Sequence, residues 1–249
     1  VSSDLRNHPV GYFLENFLSK LTKSNLELYA YPTQSKSDDL TLRIKPFFSA
    51  WKPLIGISDK AAAQLIHSDG IHILIDLSGH TANNRLPIFS SKPAPIQISW
   101  LGYFASTGVA EIDYILGDPF VTPHEDKSHF TEKIWQLPET YLCFTKPNLK
   151  VDVGPLPARA SNYITFGCFN KIARITDNVI SAWSKILQAV PASKLFLKDK
   201  SFSKNSIKEI VYKRFSSFGI SKDRLILEGK SPREQYLKAY ENVLKKLKE

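Results

Sequence analysis

Apolar and polar positions follow two different periods along this chain. Short, almost continuous apolar runs such as IHILIDLSG and PIQISWLG are typical of strands buried on both faces of a sheet. Between such runs, apolar residues recur at helical spacing, as in SDKAAAQLIHSDG. Strands that alternate with helices predict repeated βαβ units, and therefore an α/β fold built on parallel sheets.

The first 140 residues predict one Rossmann-like unit. A helix is predicted over residues 11–22, and another begins at the N-cap candidate Ser58 and ends at Gly70. We therefore expect a unit spanning residues 1–145, with the start of its first strand clipped. Its strand-like segments are VSSDL, LELYAYP, IHILIDLSG, PIQISWLG, DYILGD and IWQLP.

A second unit follows a segment without periodicity. FTKPNLKVDVGPLPARASN is rich in Pro, Gly and Ser, which predicts a linker over residues 146–161. Residues 162–249 then predict a βαβαβα pattern, the first half of a second, truncated Rossmann-like unit. Its segments are YITFGCF, DNVISAWSKILQAV after Thr176, KLFLKD, SFSKNSIKEIVYKRFSSFG, RLILEG and SPREQYLKAYENVLKKLKE.

Candidate binding residues follow the predicted strands, because open α/β sheets bind ligands beyond the carboxyl ends of their strands. His8, in SSDLRNHP, titrates near neutral pH and is suited to acid–base chemistry, although it could instead cap a helix. The loop DLSGHTANNR, which contains His80, crowds polar groups after a buried strand. This crowding indicates either a hydrogen-bonding ligand such as a sugar, or a polar turn with helix caps.

Two further loops offer groups for a phosphate-bearing ligand. WLGYFASTG contains Gly102, which would let a ligand approach the backbone, and the small hydroxyl of Thr107. It matches neither a G-x-G-x-x-G fingerprint nor a Walker motif. In FGCFNKIARIT, Asn170 can hydrogen-bond a ligand, and Lys171 and Arg174 could stabilise a departing diphosphate without a metal. The alternative is an exposed basic loop at a helix start.

The remaining histidines and the two cysteines give no metal motif. His72 lies inside an apolar run, where a histidine is more often part of the core than a ligand, and His124 and His129 lack converging carboxylates. Cys143 and Cys168 form neither a disulfide framework nor a zinc motif, which favours a reducing compartment. We therefore expect no metal and a cytoplasmic protein.

The composition narrows the class of partner. The 249 residues carry a net charge of +9, and 43% of them are hydrophobic, enough to form a core. Much of the charge follows residue 185, where lysines alternate with apolar residues as on solvated helix faces, so a nucleic-acid partner is not expected.

No apolar run reaches about 18 residues, which predicts no membrane span. The chain begins with Val and contains no Met, so we expect a fragment or a processed form.

Five long motifs occur along the chain in the order SSDLRNHPVGYF, DGIHILIDLSGHTANNRLPIF, KPAPIQISWLGYFASTGVAEIDYILGDPFVTP, FTEKIWQLPETYLCF and FGCFNKIARIT. Together they resemble the catalytic region of the protein O-linked N-acetylglucosamine transferase family, which includes bacterial homologues and the related plant O-fucosyltransferases. The resemblance runs to about SPREQYLKAY. It implies a GT-B fold, with two Rossmann-like domains facing an active-site cleft. It also implies inverting transfer of a sugar to Ser or Thr hydroxyls of proteins, without a metal.

The resemblance also implies roles for individual residues of the first unit. His8 matches an active-site histidine near the acceptor hydroxyl, and His72 matches a second histidine of the same domain. Gly102 falls in the loop that approaches the donor sugar.

In the second unit, the resemblance places Asn170 and Lys171 in the loop that faces the nucleotide. Arg174 stands where the family usually has a lysine that contacts the donor diphosphate. The diphosphate cradle and most of the base pocket are expected beyond residue 249.

The expected donor is UDP-N-acetylglucosamine, with GDP-fucose left open, and tetratricopeptide repeats that bind the acceptor are expected upstream. One alternative is a truncated, non-catalytic remnant that binds protein or a sugar nucleotide.

Overall fold

The computed structural model describes residues 1–21, 25–145 and 155–243 of the chain. Two compact units make up the chain, Val1–Pro147 and Asn148–Glu249. Residue 22 of the first predicted helix, residues 146–154 of the predicted linker and residues 244–249 of the last predicted helix lie outside the described residues.

Nine strands and eight α-helices are named in the described ranges. The strands are β1 (Tyr29–Ala30), β2 (Ala50–Trp51), β3 (Ile73–Asp76), β4 (Ile96–Ser99), β5 (Tyr114–Gly117), β6 (Lys133–Gln136), β7 (Thr165–Cys168), β8 (Lys194–Lys198) and β9 (Leu225–Glu228). The helices are α1 (Pro9–Leu21), α2 (Asp39–Ile44), α3 (Asp59–Ser68), α4 (Leu86–Ser90), α5 (Pro157–Ser161), α6 (Asp177–Ala189), α7 (Asn205–Ser216) and α8 (Arg233–Lys238). Short 3₁₀ turns include Ile172–Arg174 and Ala239–Asn242.

In the first unit, residues 1–3 join two groups of parallel strands. β1 pairs with β2, and β3 to β6 pair in chain order. Ser2 forms a parallel bridge with Pro32, and Leu77 N donates to Val1 O at 3.0 Å. The spatial order is therefore β2, β1, residues 1–3, β3, β4, β5, β6. Strand order reverses between residues 1–3 and β3, which is the topological switch point of a doubly wound sheet.

Helices cover both faces of this sheet, which explains why its strands are rich in apolar residues. One core cluster joins α3 and α4 to β3 through Ile66, Leu74, Ile88 and Phe89. A second core cluster joins α1 and α2 to the ends of β3 and β4. Its members include Leu14, Leu18, Leu40, Ile44, Leu77, Trp100 and Leu101.

The second unit holds a parallel sheet in the order β7, β8, β9. Apolar residues of α6 and α7, including Ile180, Leu187 and Phe215, pack against Leu195 and Leu197 of β8. No helix in the described ranges of the chain is both long enough and apolar enough to cross a bilayer.

The predicted alternation of strands and helices is present, with differences at short elements. β2, α2 and α4 were not predicted, and α5 lies in the segment predicted as linker. The last predicted helix ends at Lys238 and gives way to the 3₁₀ turn Ala239–Asn242, where Tyr240 stacks on Phe169. Two to six residues are too few to show a period, so the pattern could not reveal these elements.

Candidate functional site

Two loops meet at the switch point of the first unit. Residues 3–8 follow the first strand segment, and residues 77–84 follow β3. The Ser3 hydroxyl donates to Ala82 O at 3.3 Å, so the two loops are in contact. Ligands of open α/β sheets bind at such a reversal of strand order. The loops carry two of the predicted residues, His8 and His80.

His8 lies at the start of α1. Tyr12 N donates to His8 O at 3.0 Å, and Pro9 is the first helical residue, a position where its missing N–H costs nothing. A Cβ at Gly11 would collide with Arg6 O, so the helix packs directly on the backbone of the loop. The imidazole is therefore held where a strand end meets a helix start.

Helix α2 fixes the same loop from the other side. The Thr41 hydroxyl donates to Leu5 O at 2.8 Å, and Asn7 N donates to Asp38 Oδ2 at 2.8 Å. Asp38 also caps α2. The backbone on both sides of residue 6 is thus bonded to one helix end.

Burial lowers the pKa of His8, the nearby Asp4 raises it and Arg6 lowers it, and the net direction is downward from 6.5. The ring is therefore neutral at neutral pH. Val10 N donates to Nδ1 at 3.4 Å, and Asp4 Oδ2 lies 3.7 Å from the same nitrogen. In the described ranges Nε2 makes no hydrogen bond, which leaves it free for a ligand hydroxyl.

The buried carboxylate of Asp76 shapes the loop after β3. It accepts hydrogen bonds from Ser78 N at 3.1 Å and Gly79 N at 2.7 Å. Burial raises the pKa of Asp76, and the Gly79 N–H acts in the opposite direction. These bonds hold a tight turn that places His80, which is exposed, at the carboxyl end of β3.

The loop after β4 packs against this turn through Gly102. A Cβ at Gly102 would lie 2.5 Å from Ser78 Cα, so only glycine fits. Gly102 N donates to Trp100 O at 2.8 Å across Leu101, whose φ is +65°. This is a classic γ-turn, a rare and strained conformation, and strained backbone occurs most often at functional sites. Gly102 therefore lies against the turn that carries His80, and its role toward a donor sugar stays a prediction.

Thr107, predicted as substrate-binding, lies at the other edge of the sheet. Its backbone N donates to Glu132 Oε1 at 2.7 Å, and its hydroxyl donates to the same oxygen. Glu132 directly precedes β6, so this contact is at the amino ends of the strands. Because β4 and β5 are parallel, the chain between them must cross from the carboxyl ends of the strands back to the amino ends, where Thr107 lies. The structure therefore does not bring Thr107 to His8.

His72 is also at the amino edge. β3 begins at Ile73, so His72 precedes the strand instead of lying inside it, and its side chain is exposed. Ile73, the first residue of β3, is 52% exposed, whereas Leu74 and Ile75 after it pack into the core clusters on the two faces of the sheet. The structure does not place His72 near the switch point.

The basic loop of the second unit follows β7. Asn170 Oδ1 accepts from Lys171 N at 3.1 Å and from Arg174 Nη1 at 3.5 Å. Both cations are exposed, and neither has a carboxylate partner among the residues that the structure describes. α6 then begins, with Thr176 accepting from Val179 N. Unpaired positive charge at a strand end favours an anionic ligand.

Sequence reasoning missed three features of these loops. Asp4 lies beside His8, and the four-residue spacing of the two in the sequence could have indicated this contact. Tyr103 and Phe104 stack as an exposed pair, and Phe169 stacks on Tyr240. The aromatic contacts depend on tertiary packing, so no local pattern predicted them. No group of three or more His, Cys, Asp or Glu suited to a metal occurs in the described ranges.

Comparisons with known proteins show what this chain is similar to. The model of glycosyl transferase family 41 matches residues 1–149. A rice (Oryza sativa subsp. japonica) protein, "Probable UDP-N-acetylglucosamine-peptide N-acetylglucosaminyltransferase SPINDLY", is 38% identical over 231 residues, 91% of this chain and 25% of its own length. An Arabidopsis thaliana protein of the same description, SEC, is 32% identical over 79% of this chain and 21% of its own length.

Among solved structures, the K341M mutant of the Thermobaculum terrenum O-GlcNAc transferase is similar, with a TM-score of 0.87 and 32% identity. The likeness covers 97% of this chain and 46% of that one. It confirms the predicted α/β fold of the GT-B type and the resemblance read from the motifs. The chain spans about a quarter of the length of the curated relatives.

Proposed function

Because the chain belongs to glycosyl transferase family 41, we propose that it transfers a sugar from a nucleotide sugar to hydroxyl groups of proteins. The observation that carries the proposal is His8 at the switch point, neutral and with Nε2 free. The names of the relatives support UDP-N-acetylglucosamine as donor and a peptide as acceptor.

In the proposed reaction, His8 orients the acceptor Ser or Thr hydroxyl and takes up its proton. The hydroxyl oxygen then bonds to the anomeric carbon from the face opposite the diphosphate, whose bond to that carbon breaks. Configuration at the carbon is inverted. A neutral imidazole is required for this role, and burial of the ring favours that form.

Arg174 and Lys171 stabilise the departing nucleoside diphosphate, with Asn170 holding the loop in shape. Arginine stays charged at every relevant pH and can bond two phosphate oxygens at once, so Arg174 keeps the positive charge of the usual lysine but offers it with a longer, planar group. The chemistry needs no metal when these cations supply the positive charge.

His80 and Gly102 contribute to ligand binding at the carboxyl ends of β3 and β4 in this proposal. Thr107 and His72 take no part in it, since they lie at the amino edge of the sheet. Upstream tetratricopeptide repeats and a cytoplasmic location remain part of the proposal for the whole protein.

The test is transfer of labelled N-acetylglucosamine from UDP-N-acetylglucosamine to a Ser-containing peptide. General acid–base catalysis contributes roughly 10²–10⁴-fold, so we expect His8→Ala to lower kcat by about that factor. His124→Ala, at another exposed histidine, is the matched control and should leave kcat unchanged. Equal kcat for His8→Ala and the unmodified protein would remove His8 from the mechanism.

A further inference from the structure

Two neighbouring aromatic rings are exposed directly after β4. The rings of Tyr103 and Phe104 stack, with centroids 5.2 Å apart and planes 20° apart. The two residues are 52% and 51% exposed. Single exposed apolar residues are ordinary on a protein surface, whereas adjoining exposed aromatic rings make a candidate contact surface.

The backbone under this aromatic pair is held in place. The γ-turn at Leu101 and the contact of Gly102 with Ser78 fix the residues directly before it. Trp100, which precedes the turn, donates from Nε1 to Tyr141 O at 2.9 Å and packs edge-on against Phe17 of α1. A surface fixed in advance loses little conformational entropy when it binds.

The aromatic pair is continuous with the candidate site. A Cβ at Gly79 would lie 3.3 Å from Tyr103 Cβ, and His80 is the next residue. Phe120, which follows the neighbouring strand β5, is 85% exposed. Adjacent strands are about 4.8 Å apart, so exposed apolar side chains follow the ends of β4 and β5, the next two strands after β3 in the sheet.

The groups around the pair favour an apolar ligand. Ser106 donates to Glu132 Oε2 at 2.9 Å, and the Thr107 hydroxyl donates to Oε1 of the same carboxylate. The hydroxyls that follow the pair are therefore already bonded within the protein. A sugar ring needs several free hydrogen-bonding groups, whereas an apolar side chain of a peptide needs only the aromatic surface.

We propose that Tyr103 and Phe104 bind an apolar side chain of the acceptor polypeptide close to its reacting hydroxyl. This inference rests on the proposed function and deepens it, since it assigns part of the acceptor preference to this pair. The protein then favours Ser or Thr residues that have Leu, Val or Phe nearby over those flanked by Gly or Asp.

The experiment measures fluorescence anisotropy of two labelled peptides that share one Ser and differ in Leu or Gly flanks. The full chain should bind the Leu peptide more tightly. Tyr103→Ala combined with Phe104→Ala should weaken binding of the Leu peptide by about three- to tenfold, with little change for the Gly peptide, because only the Leu side chains lose apolar contact area. Ile73→Ala is the matched control, because Ile73 is as exposed as Tyr103 but lies at the amino edge.

A conservative double variant shows whether a loss of binding comes from misfolding or from loss of the apolar surface. Tyr103→Phe with Phe104→Leu keeps the apolar area and should retain the Leu preference. Equal binding of both peptides by the unmodified protein, or the same loss for both peptides in the double alanine variant, would overturn the proposal. So would a matching loss of UDP affinity, because the pair would then contact the donor.

Failure of this inference is separable from failure of the proposed function. A protein that binds the Leu peptide through the pair but transfers no sugar contradicts the proposed function alone. A protein that transfers sugar with no dependence on the pair contradicts this inference alone.

Discussion

Burial and two charged neighbours, Asp4 and Arg6, together set the pKa of His8. Burial of the ring and the charge of Arg6 lower its pKa, while Asp4 raises it. Arg6 Nη2 and Asp4 Oδ1 are also paired with each other at 2.9 Å. The reactivity of the imidazole is therefore adjusted by two side chains that precede it in the same loop.

A pH profile tests this arrangement. Because the pKa of His8 is lowered from 6.5, the neutral ring predominates at neutral pH, and kcat/KM should fall only as the pH drops through the lowered pKa. Asp4→Asn removes the charge that raises the pKa, so the acid limb should move to lower pH. Arg6→Met should move the limb in the opposite direction. An acid limb that stays in place in both variants would contradict the assignment to His8.

The sequence was informative about His8 and less so about Thr107. His8 follows a strand signal and precedes Pro9, so both its loop and its helix could be predicted. Thr107 lies in a connection without a helix, and nothing in WLGYFASTG shows where that connection crosses to the amino edge. The contact with Glu132 joins residues 25 positions apart and was therefore invisible to a local pattern.

Long, capped helices were predictable at the scale of elements. Ser58 accepts a hydrogen bond from Ala61 N at 3.2 Å at the start of α3, and Gly70, with a φ of +66°, follows its end. Thr176 opens α6 in the same way. Helices of five or six residues, such as α2 and α4, show less than two turns of the pattern and depend on tertiary contacts.

Asp118 joins two elements at the carboxyl edge of the first sheet. Its Oδ1 accepts from Phe120 N at 2.9 Å and Val121 N at 3.0 Å, and its Oδ2 accepts from Tyr141 N at 3.0 Å. Burial acts to raise the pKa of Asp118, but the backbone bonds outweigh it, so the pKa is lowered. The loop after β5 and the segment after β6 thus share one carboxylate.

Removing the Asp118 carboxylate should destabilise the carboxyl edge of the first sheet. Asp118→Ala leaves three partly buried N–H groups without their carboxylate acceptor, which costs about 1–3 kcal/mol of unfolding free energy. Hydrogen exchange of the Tyr141 amide should accelerate, while Asp118→Asn, which keeps one acceptor oxygen, should show a smaller effect. Since the pKa is lowered, the contribution exists above the unfolded pKa and disappears as the pH falls through the folded one. Equal stability of Asp118→Ala and the unmodified protein would contradict this account.

At the scale of the whole molecule, the alternation of strands and helices was enough to predict parallel α/β units. It could not predict the spatial order of the strands, because periodicity reports which residues share a face and not which strands are neighbours. The switch point became visible only through the contacts of residues 1–3 with Pro32 and Leu77. That order identifies the loops of His8 and His80 as neighbours, which the sequence could only suggest.

The most direct test of the account is a calorimetric titration of the folded chain with UDP and with GDP. We predict that UDP binds, and that Arg174→Met weakens UDP binding at least several-fold by removing a charge exposed after β7. Lys92→Met, which removes a cation bonded to Asp113 in the first unit, should leave UDP binding unchanged. If neither UDP nor GDP binds to protein that is shown to be folded, a nucleotide-sugar-dependent function for this chain is contradicted.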